Sequence, residues 1–273
     1  MNYSEIERML HTSLFGHPFI YKKELASTNG MLLDLAGNGA KEGTVVATAY
    51  QTAGRGTRGN KWIAPAGKNM SLSLLCRPGV PAVNGLKFTL MAAIVLRKAI
   101  LTFPDFKNNT KPSILFKWPN DLLVGRKKLA GILLESTVRE NRLDVLVAGF
   151  GLNINSNSQK LSAKVEREVV SLVDLFGCTI DIPSFYIHFL QVFETAYFYY
   201  MTQNLNNVIA DWEMYSALQN SFLKILDSGE IHGGYYCGLD ADGFLCYRTK
   251  VGALKKLIGG RVIDWGGTNA VSD

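Results

Sequence analysis

At 273 residues and 47% apolar composition, the chain has the length for one large or two small globular domains with a substantial core. Charged residues make up 19% and aromatics 11%, which excludes a disordered chain; the longest apolar run, Phe88 to Leu101, is cut by Arg97 and Lys98 and falls short of a membrane span. The net charge of +6 is uneven: sixteen Lys and Arg face four acidic residues between Arg55 and Arg142, whereas the last 53 residues carry six of each sign. A concentrated basic stretch points to an anionic ligand, such as a nucleotide, a nucleic acid or an acidic protein surface.

The four cysteines (Cys76, Cys178, Cys237, Cys246) form no C-x-x-C pair, and the four histidines (His11, His17, His188, His232) form no H-E-x-x-H pattern. Zinc-ribbon, thioredoxin and His-based metal chemistry are therefore excluded. The opening MNYSEIERML carries acidic residues and no apolar signal core, so a cytoplasmic address is expected.

In chain order, residues 27–36 begin with cap-type side chains and run into a short helix. Residues 44–50 (TVVATAY) read as a strand, followed by a glycine-rich segment over 54–69 and a further strand over 70–76. Residues 86–101, unbroken by Gly or Pro, form a buried helix. Three more strands are predicted over 114–124, 131–137 and 143–154, with turns at Gly125 and over 139–142. Asp181 then precedes a helix with Pro183 at its first position, and Phe185, Phe189, Val192, Phe193, Ala196 and Tyr200 recur at helical spacing as a core stripe. After Ala217 come short strands, Gly233–Gly234, an Asp242–Gly243 hairpin signal between FLKIL and FLCYR, and Gly259–Gly260. The whole reads as an α+β domain over 1–219, a mixed β-sheet with helices, and a small β-barrel-like unit over 220–273.

Gly54-Arg-Gly56-Thr-Arg-Gly59 matches G-x-G-x-x-G after a strand, but no helix opens on the last glycine and Pro65 follows at once, so a dinucleotide fold is disfavoured. What remains is a loop carrying Arg55, Arg58 and Lys61 as anion donors and Trp62 as a ring face. Lys117-Trp-Pro-Asn120-Asp121 offers a carboxylate suited to magnesium. Lys128-Leu-Ala-Gly131-Ile and Gly149-Phe-Gly151-Leu-Asn153 complete the set.

Taken in order, these segments, with Ser27-Thr28-Asn29, Gln51-Thr-Ala-Gly54-Arg55-Gly56 and Glu135, resemble the biotin protein ligases, or biotin–[acetyl-CoA-carboxylase] ligases. The neutral tail resembles that family's small SH3-like C-terminal domain. The resemblance implies two steps: biotin and Mg-ATP give biotinyl-5′-AMP and pyrophosphate, and a lysine of a biotin carboxyl carrier domain then displaces AMP. It assigns Ser27, Thr28, Asn29, Gln51, Gly54, Arg55, Gly56, Lys128, Gly131, Gly149 and Gly151 to biotin. Arg58, Trp62, Asn120, Asp121 and Asn153 fall to ATP, with Lys128, Arg55 and Asp121 catalytic and Asp121 the magnesium contact.

Thr57 and Asn60 stand where the family loop often carries arginines, the first of which helps retain the adenylate in better-known bacterial members. With only about 26 residues before Ser27, no N-terminal DNA-binding domain is expected; the basic charge is assigned to ATP and the carrier, and no DNA or membrane partner is expected. Both monomers and homodimers fit the family. A lipoate or octanoate ligase or transferase of the same fold is the alternative; a nucleic-acid binder and an inactive biotin sensor are remoter. The segment 265–273 has no assigned role.

Overall fold

The computed structural model describes residues 3–107, 109–203 and 205–266. The first unit contains α1 (Ile6–Met9), β1 (Phe19–Leu25), α2 (Thr28–Gly37), β2 (Val45–Gln51), β3 (Met70–Cys76), α3 (Gly85–Thr102), β4 (Ile114–Lys117), β5 (Asp121–Val124), β6 (Lys127–Arg139) and β7 (Arg142–Leu152). It continues through α4 (Ser158–Val165), α5 (Leu172–Phe176), α6 (Ile182–Thr202) and α7 (Val208–Glu213). A C-terminal module follows, made of β8 (Phe222–Asp227), β9 (Glu230–Leu239), β10 (Leu245–Arg248), β11 (Leu254–Leu257) and β12 (Arg261–Gly266). Among the described residues no helix is long and apolar enough to cross a membrane.

The larger sheet has the order β1-β2-β3-β7-β6-β5-β4; β1 and β2 run parallel and the other neighbours antiparallel. Strand period dictates what each face carries. Val45, Ala47, Leu72, Leu74, Ile132, Ala148 and Phe150 turn to the main core, which includes apolar residues of α3 and α6. There Phe189 and Phe193 meet Phe150 edge-on, with ring centroids 4.9 and 5.9 Å away. The aromatic stripe of α6 is thus core packing, as its spacing predicts. The alternate residues Val46, Leu75, Val145 and Val147 turn the other way and join Leu32 and Ala36 of α2 in a smaller core. The module is a five-stranded antiparallel sheet, β11-β10-β9-β8-β12.

The expected helices and the strand over 70–76 are present, but several elements differ. The single strand expected over 114–124 is a hairpin, β4 and β5, because Pro119 has no N–H for a ladder and Trp118, Pro119 and Asn120 form its turn. The strand expected over 131–137 extends to Lys127–Arg139. Strand β9 intervenes between FLKIL and FLCYR; β8 turns into it at Ser228 and Gly229, and Asp242–Gly243 turns β9 into β10. Asp181 caps α6 through its carboxylate on Ser184 N, with Ile182 first and Pro183 second in the helix. Of the segment 265–273, Trp265 and Gly266 belong to β12 and the rest lies outside the described residues.

Candidate active site

Register across the larger sheet aligns Ser71, Gly151, Gly131, Asp121 and Lys117 in one row over five strands. A second row aligns Ser73, Gly149 and Leu133. These rows lie on the face that carries α2. Three positions have no side chain, so the sheet itself is the floor of a cavity of about 730 Å³. The floor admits neighbours only because Cβ atoms are missing: one at Gly149 would overlap Asn29 Oδ1, and one at Gly151 would overlap the Trp62 ring. The Gly-x-Gly spacing on β7 is the two-residue period of a strand serving two adjacent contacts.

One wall of the cavity is a closed hydrogen-bond network. Ser27 caps α2 on Gly30 N, which sets Thr28 and Asn29 in its first turn over the sheet. Thr28 N donates to Gln51 Oε1 at 2.8 Å at the end of β2. Ser73 Oγ, fully buried on β3, donates to Asn29 Oδ1 at 2.6 Å and lies 2.7 Å from Thr28 Oγ1. Asn29 Nδ2 donates to Leu133 O and to Glu135 Oε2, and the same Glu135 oxygen receives Arg55 at 3.0 Å. Polar side chains buried this way need every partner they have.

The glycine-rich loop is ordered as a miniature hairpin: Trp62 N donates to Gly54 O, Gly56 N to Asn60 O, and Arg55 bridges Lys61. Gly54 does not line the cavity; a Cβ there would overlap the Trp62 carbonyl. At the hairpin tip Arg58 adopts φ 57°, an unfavourable left-handed conformation, and its guanidinium donates to the carbonyls of Gly259 and Gly260 in the module. Trp62 lies over Gly151, with Lys128 Nζ 5.8 Å from its ring centroid and its own Nε1 buried without an acceptor among the described residues.

The charged end centres on Asp121, whose Oδ1 is 2.5 Å from Lys128 Nζ and whose Oδ2 is 3.0 Å from the Arg167 guanidinium. Burial works to raise this carboxyl, but Lys128 and Arg167 outweigh it and hold it below the usual carboxylate range. Lys117 is different. Burial pushes its ammonium down to about 8; the partial support of Asp121 is opposed by Arg167, Lys128 and Arg126. Its Nζ lies 4.8 Å from the Trp265 ring of β12, and Arg126 covers the same ring at 4.4 Å.

Apart from Gly54, every residue expected in the site lines this one cavity. Two of them serve as braces. Asn120 exchanges hydrogen bonds with the Ile132 backbone, and Asn153 Nδ2 donates to Val170 O while its Oδ1 receives Asn69. Asp121 does not offer a cation site: both its oxygens are engaged by basic side chains, and among the described residues no three His, Cys, Asp or Glu cluster for a metal. The residues present do not fit a resident magnesium ion. Sequence reasoning missed Ser73, Arg167, Arg261 and Trp265, and left Lys117 and Glu135 without roles. Only register or tertiary packing brings them in.

Residues 22–153 match the profile of the biotin/lipoate A/B protein ligase family. The bifunctional ligase/repressor BirA of Bacillus spizizenii is 31% identical over 252 residues, covering 92% of this chain and 76% of that protein. The biotin–[acetyl-CoA-carboxylase] ligase of Mycobacterium tuberculosis is 28% identical over 251 residues, covering 88% of each. In fold, the chain is similar to the biotin protein ligase of Aquifex aeolicus solved with biotin and ATP, with a TM-score of 0.70, 21% identity and coverage of 92% of this chain and 99% of that one. On this sequence relationship the chain belongs to the biotin protein ligases within the biotin/lipoate A/B protein ligase family.

Proposed function

We propose that the chain is a biotin–[acetyl-CoA-carboxylase] ligase, which makes biotinyl-5′-AMP from biotin and ATP and passes the biotinyl group to one lysine of a biotin carboxyl carrier domain. The observation that carries this reading is the joining, in one cavity, of the Thr28–Gln51–Asn29–Glu135–Arg55 network with the Lys128–Asp121 pair.

In the first step a biotin carboxylate oxygen bonds to the α-phosphorus, and the bond from that phosphorus to the bridging oxygen breaks, releasing pyrophosphate. Two anions must approach, so the site has to supply positive charge where they meet. Lys128, fixed by Asp121, sits beside that meeting point and stabilises the charge that builds on the α-phosphoryl oxygens. Thr28, Asn29, Gln51 and Arg55 hold the ureido ring and tail over the glycine floor. Trp62 offers the nucleotide a ring face. Magnesium arrives as part of the nucleotide substrate.

In the second step the carrier lysine's amine attacks the acyl carbon and AMP departs. The adenylate is a mixed anhydride that water destroys, and the loop over 52–69 covers it. The basic surplus serves ATP and the carrier rather than a nucleic acid.

Mass spectrometry of products formed from ATP and magnesium with either biotin or lipoate, without carrier, tests the reading. A biotinyl-adenylate is the expected product. A lipoyl-adenylate alone would move the chain to the sister activity, and the absence of both products would overturn the proposal.

A further inference from the structure

Two thiols that the cavity does not use meet on the outer face of the module. Strands β9 and β10 pair Tyr236 with Tyr247 and Leu239 with Leu245, and the register shifts between these pairs. Cys237 and Gly238 therefore stand together opposite the single residue Cys246, a β-bulge in which Gly238 takes a left-handed φ of 96°. Tyr236 and Tyr247 turn inward: the Tyr236 hydroxyl donates to Glu213 of α7, and Tyr247 is buried. Their neighbours Cys237 and Cys246 consequently turn outward, Cys237 exposed and Cys246 half-buried.

Opposed positions of an antiparallel ladder lie about 4.5–5.5 Å apart at Cα, within the span that a disulfide bridges. The surroundings distinguish the two sulfurs. Burial and the Asp240 carboxylate push the Cys246 thiol up, Lys256 only partly opposes them, and the nearby Cys237 adds to the rise. Cys237 is open to solvent and is the sulfur that a dissolved oxidant reaches first. The other two cysteines lie outside the module: Cys76 is buried in β3, and Cys178 is exposed between α5 and α6.

We propose that Cys237 and Cys246 close into a reversible disulfide, a modification site of the module that responds to low-molecular-weight disulfides. The Cys237 thiolate attacks one sulfur of the small disulfide, and the other half leaves as a thiolate. The Cys246 thiolate then attacks Cys237 Sγ and expels the second half. Two protons and two electrons leave the protein, and the small disulfide ends as two thiols. Excess small thiol reverses both exchanges. Neither cysteine lines the cavity, so the bond is open to the chain whatever substrate the cavity takes.

The ring closed in this way holds residues 238–245, with the Asp242–Gly243 turn at its tip. That turn seats the module on the first unit: Gly243 O receives Trp118 Nε1 at 3.0 Å, and a Cβ on Gly243 would touch Leu86 and Leu90 of α3. Oxidation thus ties the base of the hairpin that docks beside Trp118, Pro119 and Asn120.

The test incubates the full chain with 2-hydroxyethyl disulfide, alkylates it in denaturant and maps its peptides without reduction. The expected product is a Cys237–Cys246 peptide pair lighter by two hydrogens, while Cys178 carries only the small-thiol adduct. Cys246→Ser should leave that adduct on Cys237, Cys237→Ser should abolish the pair, and dithiothreitol should restore both thiols in the wild type. Hydrogen exchange over residues 240–244 should slow about threefold to tenfold in the oxidised wild type and not in Cys246→Ser, as local opening becomes costlier. A persistent adduct on Cys237 of the wild type, or both thiols still open to alkylation, would overturn the site. A linked pair with unchanged exchange over 240–244 would overturn its hold on the docking turn.

Discussion

The two ends of the cavity are built on opposite principles. At the α2 end, Thr28, Asn29, Gln51, Ser73 and Glu135 satisfy one another, and the shape of the floor comes from glycines. At the other end, Arg58 and Arg261 are like charges close to each other, and Lys117 is buried among Arg167, Lys128 and Arg126 with Asp121 giving only partial support. The first end is pre-organised, so a neutral ring system can enter it without rearranging its walls. The second crowds like charges, so an anionic group entering it meets positive charge from several sides. A site that must recognise an uncharged head group and also neutralise a triphosphate gains from keeping these tasks apart.

The largest expected effect lies where the ends meet. Lys128→Ala should lower the rate of adenylate formation by about 10²–10³, the usual loss for removing one aimed donor from a developing charge. Single-turnover kinetics would measure it. Asp121→Asn should have a smaller effect in the same direction, because it loosens Lys128 without removing it. A loss of tenfold or less in Lys128→Ala would break the division of labour.

Filling the pre-organised end should come next. Gly149→Ala sets a methyl against Asn29 Oδ1 and should cost about 1–3 kcal/mol of stability through overpacking. Biotin affinity should fall at least about tenfold with ATP affinity unchanged, since the displaced Asn29 belongs to one end only. Ser73→Ala deprives Asn29 Oδ1 and Thr28 Oγ1 of their buried partner and should cost about 1–3 kcal/mol, read by chemical denaturation. Isothermal titration with biotin and with ATP separates the two ends in both variants.

A further test is a pH dependence at the charged end. Lys117 releases its proton near pH 8 when folded, against 10.5 for an ordinary lysine. Between those values the unfolded chain binds more protons, so this group makes stability rise with pH; below about pH 8 the cost of burying the cation is fully present. Lys117→Met should be at least as stable as wild type at pH 7 and should lack that part of the rise. Denaturation curves at pH 7, 8, 9 and 10 would detect it, and parallel pH profiles for the two proteins would refute it.

Much of this was legible in the sequence because the chemistry is local. Ser27-Thr28-Asn29 is a helix cap followed by its first turn, and Gly149-x-Gly151 is the period of one strand, so motif and geometry coincide. The partners were not legible. Ser73 looks like any serine in an alternating strand, and only the pairing of Ser73 with Gly149 brings it beneath Asn29. Arg261 and Trp265 lie over a hundred residues from Lys117 and reach the cavity only through docking of the module. The hairpin of β4 and β5 reads as one strand in the sequence because apolar residues flank Trp118–Asn120 on both sides and mask the turn. A sequence cannot distinguish an amide aimed at a ligand from one that staples two backbone segments, so the bracing hydrogen bonds of Asn120 and Asn153 are visible only in the structure.

The glycine floor has a consequence for engineering. Its depth is made by omission, so no substitution at residues 131, 149 or 151 can enlarge the recess, and each one acts as a permanently installed fragment of competitor. Tuning the acid this chain accepts must therefore come from the overhanging parts, the first turn of α2 and the loop that carries Trp62, where side chains can be shortened as well as lengthened. The floor tolerates change in one direction only, and the rim in both.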